Sequence, residues 1–178
     1  MIIEKVKSLI IKEDEIFYEN HIKFVVDYSI ELAEIEGGNI TDAVLAALLH
    51  DIGRIRYGGK SHNLTGSKDA KIILESFNHP EENIKRICNA IVKHDISETI
   101  DEGDLLSLIL RSADGLSHYK IVPFIFSNKL SKSNGDLNEA IKLTLEKFDF
   151  EWDKKILLDS AKAIGEESRS AFNLLFRK

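Results

Sequence analysis

An apolar segment at residues 43–49 (Ala-Val-Leu-Ala-Ala-Leu-Leu) runs directly into His50 and Asp51, and it constrains the fold more than any other part of the chain. A helix that is apolar on every side must be buried, so the segment predicts the central helix of a helical bundle. Burying an imidazole and a carboxylate at its end is costly unless they are hydrogen-bonded, paired or bound to a metal ion. The pair therefore predicts a polar site at the end of the central helix.

The alternative is a structural role, with His50 as a core histidine and Asp51 as a residue of the last helical turn. An aspartate at that place opposes the helix macrodipole, whereas a bound cation would reverse the sign of the interaction. Local sequence that works against helix preference is typical of functional sites, which favours a site here.

Apolar residues recur at spacings of three and four along most of the chain, which is the helical period, and no stretch alternates long enough to predict a strand. With only 2 prolines and 10 glycines, long helices face little interruption. We therefore predict an all-α fold and one domain over residues 1–178. The predicted helices lie near residues 6–10, 20–37, 43–52, 65–77, 80–94, 105–118, 136–148 and 152–176.

Capping and breaking residues predict where these helices begin and end. The predicted boundaries are an N-cap at Asn20, an N-cap at Thr41 or Asp42, a stop at Gly53, a basic loop over residues 54–61 and a break at Pro123.

Composition excludes several kinds of partner. The net charge of −6 gives no electrostatic support for binding a nucleic acid polymer or an anionic membrane. No apolar run approaches the roughly 20 residues that span a bilayer, and the first residues lack a signal-peptide pattern. The single cysteine, Cys88, fits a reducing compartment, so a cytoplasmic location is expected.

Further metal-ligating residues are spread along the chain. His21 has apolar neighbours in a predicted helix, and Asp114 follows the apolar run at residues 105–110. With His50 and Asp51 they place two imidazoles and two carboxylates on three helices, which is how metal sites inside helical bundles are assembled. His62 and His94 are additional candidates.

The order His21, His50-Asp51, Asp114 resembles the His…His-Asp…Asp signature of the HD-domain metal-dependent phosphohydrolases. His62-x-x-x-Gly66, Ile91-Val92-x-His94 and Ala113-Asp114-Gly115-Leu116 are also similar to that family. The resemblance covers about residues 20–118, and residues 119–178 match no motif. It implies an HD-domain-like helical bundle with additional C-terminal helices.

The resemblance also implies roles for individual residues. His21, His50, Asp51 and Asp114 would hold a first metal ion. In members with two ions, the aspartate of the pair bridges them and histidines corresponding to His62 and His94 hold the second. Such members carry a second histidine where this chain has Asp95. In related single-ion nucleotidases these positions contact phosphate instead, so His62 and His94 are either second-ion ligands or phosphate-binding and proton-donating groups.

This ligand set suits Mn, Fe, Co, Ni, Zn or Mg, as one ion or two. A metal ion acidifies water and polarises a phosphoryl oxygen, and Asp51 is positioned to accept the proton of the attacking water. Arg54, four residues after His50, is the first candidate to bind the anionic phosphate. Lys60 and Arg56 are weaker candidates.

We therefore expect a metal-dependent phosphohydrolase acting on a small phosphate ester, with a nucleotide as the expected class. The alternative is a non-catalytic module of the same fold that binds metal and nucleotide, and Asp95 is the feature in its favour. Apolar stripes on the last two predicted helices leave a homodimer open. Aromatic residues near the C-terminus, including Phe150, are expected to pack in the core. For Phe124, core packing is favoured over the alternative that it lines a pocket.

Overall fold

The computed structural model describes residues 1–177, and these form helices and turns without any strand, which confirms the predicted all-α class. None of the helices in these residues has the length and apolar character needed to cross a membrane. The helices are α1 (Ile2–Glu13), α2 (Glu15–Phe17), α3 (Lys23–Glu36), α4 (Ile40–Leu49), α5 (Ile52–Tyr57), α6 (His62–Ser76), α7 (Glu81–Lys93), α8 (Leu105–Ser117), α9 (Val122–Lys132), α10 (Leu137–Lys154) and α11 (Asp159–Phe176).

Helix α4 is the centre of the bundle, as predicted, and it packs against α1, α3, α7 and α8. Every residue from Asp42 to Leu49 is buried. The predicted cap at Thr41 or Asp42 is wrong, because the Asn39 side chain accepts the Asp42 N–H at 2.9 Å. The Asp42 carboxylate instead accepts hydrogen bonds from Asn83 and Arg86, which tie α4 to α7.

The predicted helix stop at Gly53 is wrong. The chain turns at His50 and Asp51, and Gly53 lies inside the next helix, α5. The predicted basic loop therefore shrinks to residues 58–61. Gly53 serves the crossing of α5 and α6: a Cβ there would lie 2.3 Å from the His62 carbonyl oxygen and 2.5 Å from the Gly66 nitrogen. This close approach brings the start of α6 against the end of α4.

His21 lies in a π turn, Tyr18–Ile22, rather than in the first turn of a helix capped by Asn20. The actual N-cap is Asp14, whose side chain accepts the Phe17 N–H at 2.9 Å. π turns are frequent at functional sites because the extra residue re-aims a side chain. Here the turn leads into α3 and places His21 in the interior.

The C-terminal part differs most from its prediction. Pro123 does not break the chain, since it lies in the first turn of α9, where proline is well tolerated. The helix predicted over residues 152–176 is two helices, because α10 runs on to Lys154 and α11 begins at Asp159. Ser112 on α8 accepts the Leu157 N–H at 3.1 Å and so anchors the break.

Replacing Gly53 by alanine is expected to destabilise the protein by about 3 kcal/mol, because the added methyl group meets backbone atoms of α6 that cannot move aside. Urea unfolding followed by circular dichroism measures this loss. Gly103→Ala is the matched control, since nothing lies within 4 Å of a Cβ at that position. Equal stability of the two variants would contradict the tight crossing.

Candidate metal centre

The four residues predicted to hold the first metal ion meet at one place, with His21 in the middle. Its Nε2 lies 3.2 Å from His50 Nε2, 3.6 Å from Asp51 Oδ2 and 3.4 Å from Asp114 Oδ1. All four residues are buried. Ligand atoms bound at about 2.1 Å to one ion lie roughly 3.0–3.5 Å from one another, so the separations among His21, His50 and Asp51 suit a shared ion. Asp114 is close to His21 and groups with it and His118.

Backbone carbonyls fix the orientation of three histidine rings. His50 Nδ1 lies 2.7 Å from the Ala47 carbonyl oxygen, and His94 Nδ1 lies 2.6 Å from that of Ile91. His62 Nδ1 lies 3.0 Å from the Gly59 carbonyl oxygen. A carbonyl only accepts, so each Nδ1 carries the proton and each Nε2 presents a lone pair to the site.

His21 reaches the same state through a side chain. Ser117 donates its hydroxyl proton to the Asp114 carbonyl oxygen at 2.7 Å, so its oxygen accepts the Nδ1–H of His21 at 3.2 Å. The Nε2 of His21 is then a free lone pair as well.

Two pairs of these lone pairs face each other. His21 Nε2 and His50 Nε2 are 3.2 Å apart, and His62 Nε2 and His94 Nε2 are 3.1 Å apart. Two acceptors at this separation repel unless a cation or proton lies between them. The donor set therefore fits a divalent cation. Three groups among the described residues can hold one: His21-His50-Asp51 and Asp51-His62-His94, which share Asp51, and His21-Asp114-His118.

Asp51 connects the two groups. Its Oδ2 faces His21 and His50, whereas its Oδ1 lies 3.3 Å from His62 Nε2 and 3.9 Å from His94 Nε2. This is the arrangement expected of a carboxylate that bridges two ions. Two acceptor atoms of the Asp51-His62-His94 group already have a hydrogen-bond donor. Arg54 donates from Nε to Asp51 Oδ1 and from Nη2 to His62 Nε2, each at 3.0 Å.

The other predicted cations lie elsewhere. Arg56 pairs with Glu13 and with Asp69, away from the metal-ligating cluster. Lys60 is exposed and does not line the cavity next to the site. Of the predicted phosphate-binding loop, only Arg54 is therefore placed at the site, and it lies on α5.

A set of charged side chains from the C-terminal helices escaped the sequence interpretation. Lys155 donates to Asp114 Oδ2 from the segment after α10. Glu151 on α10 is buried, with Oε1 2.8 Å from His118 Nδ1 and 2.5 Å from Lys147 Nζ. No motif marks these residues. Gly115 was the sequence feature that could have indicated a close contact here. A Cβ at this position would lie 3.0 Å from the Lys155 Cβ, so the glycine leaves room for Lys155 to approach α8.

Arg111 was also missed, and it holds the end of α7. Its guanidinium donates to the carbonyl oxygen of Lys93 at 2.9 Å and to those of Asp95 and Glu98 at 2.7 Å. These bonds satisfy carbonyls that a helix end leaves free. They fix the segment that carries His94.

Burial holds His21 and His94 neutral, whereas the Asp51 and Asp114 carboxyls are held ionised. Burial lowers the pKa of His21 to about 3 and that of His94 to about 4. Burial alone would raise the pKa of the Asp114 carboxyl, but Lys155 and His118 hold it well below its usual range. Burial alone would also raise the pKa of the Asp51 carboxyl. His50 and Arg54 outweigh the effect of burial, so the pKa of Asp51 is lowered.

The site forms part of the wall of an open cavity of about 710 Å³, which is the size of a small-molecule pocket. His21, Asp51, His62, His94 and Asp114 line it, together with Arg54. Phe124 and Phe150 also line it and are 61% and 44% exposed, so the expectation that they pack in the core is wrong.

Comparison with known proteins agrees with this geometry. A family model described as HD domain matches residues 18–119, close to the stretch that carries the motifs. The comparisons with curated proteins and with solved structures gave no significant match.

The ion-free protein is expected to lose stability as the pH falls from about 7.5 to about 5. The unfolded chain protonates His21 and His94 near pH 6.5, whereas the folded chain resists until about pH 3 to 4, so the unfolded state binds more protons. Each histidine should contribute a loss of roughly 2 kcal/mol at pH 5. Urea unfolding in a chelator measures it.

His94→Asn removes one of these groups and should reduce the pH dependence, which makes it the control for the pH series. A free energy of unfolding that stays constant over this range would show that the histidines are not held neutral.

Proposed function

Because the chain belongs to the HD-domain family, we propose that it is a metal-dependent phosphohydrolase that cleaves a small phosphate ester, with a nucleotide as the expected substrate. One observation carries the proposal. Four inward-facing imidazole lone pairs and two ionised carboxylates meet on the wall of a cavity of small-molecule size.

His21, His50, Asp51 and Asp114 are the residues that would hold the ion. A divalent ion supplies Lewis-acid polarisation of a phosphoryl oxygen and acidifies a water molecule. Hydrolysis forms a bond from the water oxygen to phosphorus and breaks the ester P–O bond, and the leaving group takes up the proton that the water gave to Asp51 and departs as the alcohol. Asp51 accepts the proton of the attacking water, and Arg54 binds and orients the phosphate through its guanidinium.

The histidines of the second group have a narrower role than the sequence allowed. His62 and His94 bond through Nδ1 to backbone carbonyls and present Nε2 lone pairs to the cavity, and a lone pair does not bind a phosphate oxygen. They therefore serve as ligands of a second ion, or as phosphate contacts only when protonated. Arg54 competes with a second ion, because it already binds Asp51 Oδ1 and His62 Nε2.

Charge balance favours a phosphomonoester over a diester. Asp51 and Asp114 are balanced by Arg54 and Lys155, and His21 and His94 are neutral. One divalent ion then gives the site two positive charges. A monoester has a second pKa near 6 and carries close to two negative charges at neutral pH, whereas a diester carries one.

Protein loaded with Mn²⁺ is expected to hydrolyse nucleoside 5′-monophosphates, and a chelator should abolish the activity. The double variant with His50→Ala and Asp51→Ala removes ligands and should lose both bound metal and turnover. Phosphate release and metal analysis measure these losses. A metal-loaded protein that hydrolyses nothing in a broad nucleotide panel would contradict the proposal, and tight nucleotide binding without hydrolysis would favour a regulatory module.

Arg54→Ala provides the finer control in the same assay. Loss of a charged hydrogen bond to phosphate should lower kcat/KM by about tenfold to a hundredfold. Lys60→Ala removes a cation that is exposed and outside the cavity lining, so its loss should have little effect. Equal effects of the two variants would show that Arg54 does not bind the phosphate.

Metal titration is expected to show one tight site and one weaker site per chain. The weaker site is the Asp51, His62 and His94 group, where an ion must displace Arg54. Arg54→Ala should strengthen that site, and His94→Ala should weaken it while leaving the tight site intact. Calorimetry with Mn²⁺ measures both constants. Two sites of equal affinity in the unaltered protein would rule out the competition.

A further inference from the structure

The cavity has a charged floor and an apolar rim. The floor consists of the ion-binding residues described above. Four large apolar side chains around the opening are at least two-fifths exposed: Ile16 at 77%, Phe124 at 61%, Phe150 at 44% and Ile96 at 43%. All four line the same cavity as the ion-binding residues.

The rim is assembled from distant parts of the chain. Ile16 lies on α2, Ile96 follows α7, Phe124 lies on α9 and Phe150 on α10. Single exposed apolar residues are ordinary on protein surfaces. Four that converge from separate elements on the lining of one cavity are instead typical of a place where an apolar group is bound.

The cations that line the cavity already have partners. Within the described residues they are Arg54, Lys147 and Lys155, and they pair with Asp51, Glu151 and Asp114, respectively. Asp14 and Asp95 add further negative charge to the lining. The cavity therefore suits one phosphate at the floor and disfavours a chain of phosphates extending towards the opening.

Resting on the proposed function, we propose that the substrate is a phosphomonoester whose organic part is a ring-sized apolar or aromatic group. The phosphate occupies the floor beside Arg54, and the ring lies against Phe124 and Phe150 at the rim. A polyphosphate or a wholly polar sugar phosphate lacks the group that the rim binds. Because the rim is continuous with the ionic floor, its occupant is the substrate itself rather than a second copy of the chain.

Esters of primary alcohols test this selectivity at nearly constant leaving-group chemistry. Ethyl, benzyl and 2-naphthylmethyl phosphate increase the apolar area in steps, and glucose 6-phosphate provides a polar body. Burial of a phenyl ring should raise kcat/KM of the Mn²⁺-loaded protein by about tenfold or more from ethyl to benzyl phosphate. Adenosine 5′-monophosphate should be preferred over both glucose 6-phosphate and adenosine 5′-triphosphate.

Phe124→Ala and Phe150→Ala test the rim residues directly. Each should lower the benzyl-to-ethyl ratio of kcat/KM by about threefold or more, because apolar contact area is lost. Leu137→Ala is the matched control, since Leu137 is also on α10, is 56% exposed and does not line the cavity. Its ratio should equal that of the unaltered protein. An unchanged ratio in both phenylalanine variants would overturn the proposal.

Binding of phosphonates separates this proposal from the proposed function. Calorimetry of the Mn²⁺-loaded protein should show tighter binding of benzylphosphonate than of ethylphosphonate. That preference without turnover of any ester would support the rim and contradict the phosphohydrolase. Turnover with equal binding and equal kcat/KM for both esters would contradict the rim alone. If Phe124→Ala instead dissociates a dimer and leaves the ratio unchanged, the rim is an interface and the proposal fails.

Discussion

The hydrogen bond from a histidine Nδ1–H to the carbonyl three residues earlier is the interaction on which the site depends. It recurs at His50 after α4, at His94 after α7 and at His62 in the first turn of α6. At the ends of α4 and α7 the acceptor is a backbone carbonyl that has no partner within the helix. The same hydrogen bond therefore satisfies that carbonyl and selects the tautomer of the histidine. Each Nε2 lone pair then faces the interior. The central position of α4 makes this costly arrangement stable, because the surrounding helices hold the rings in place.

The unfavourable contacts between these lone pairs are moderated by the chain's own cations. Arg54 reaches Asp51 and His62, and Lys155 reaches Asp114, so the two carboxylates are neutralised before any ion binds. The pKa of Asp51 is lowered by His50 and Arg54, and that of Asp114 by Lys155 and His118. The protein's own side chains therefore keep both carboxylates deprotonated. Ion affinity is then set by competition with two tethered side chains, as well as by the ligands themselves.

The sequence predicted those parts of the site that depend on local pattern. An all-apolar helix ending in His50-Asp51 can only be central, and the spacing to His21 and Asp114 matched a known ligand order. What it missed depends on tertiary contacts. Glycine has a low helix propensity, so the sequence predicted that a helix stops at Gly53. In the structure Gly53 lies inside α5, because the crossing with α6 leaves no room for a Cβ. Likewise, the break after α10 arises from Ser112 on a distant helix, which no pattern within residues 152–176 could indicate.

The division between the matched family region and the C-terminal helices has a functional consequence. All proposed metal ligands lie within residues 18–119, together with Arg54. The residues beyond that region supply Lys155, Glu151 and the apolar side chains of Phe124 and Phe150. Gly115, next to a proposed ligand, is one of the points where the two parts pack closely together. On the proposed function, the chemistry of the site would follow from the family region, whereas the choice among phosphate esters would follow from the helices packed over it. Selectivity would then change by substitution in α9 and α10 without disturbing the ligands, because the rim residues do not hold the histidine rings.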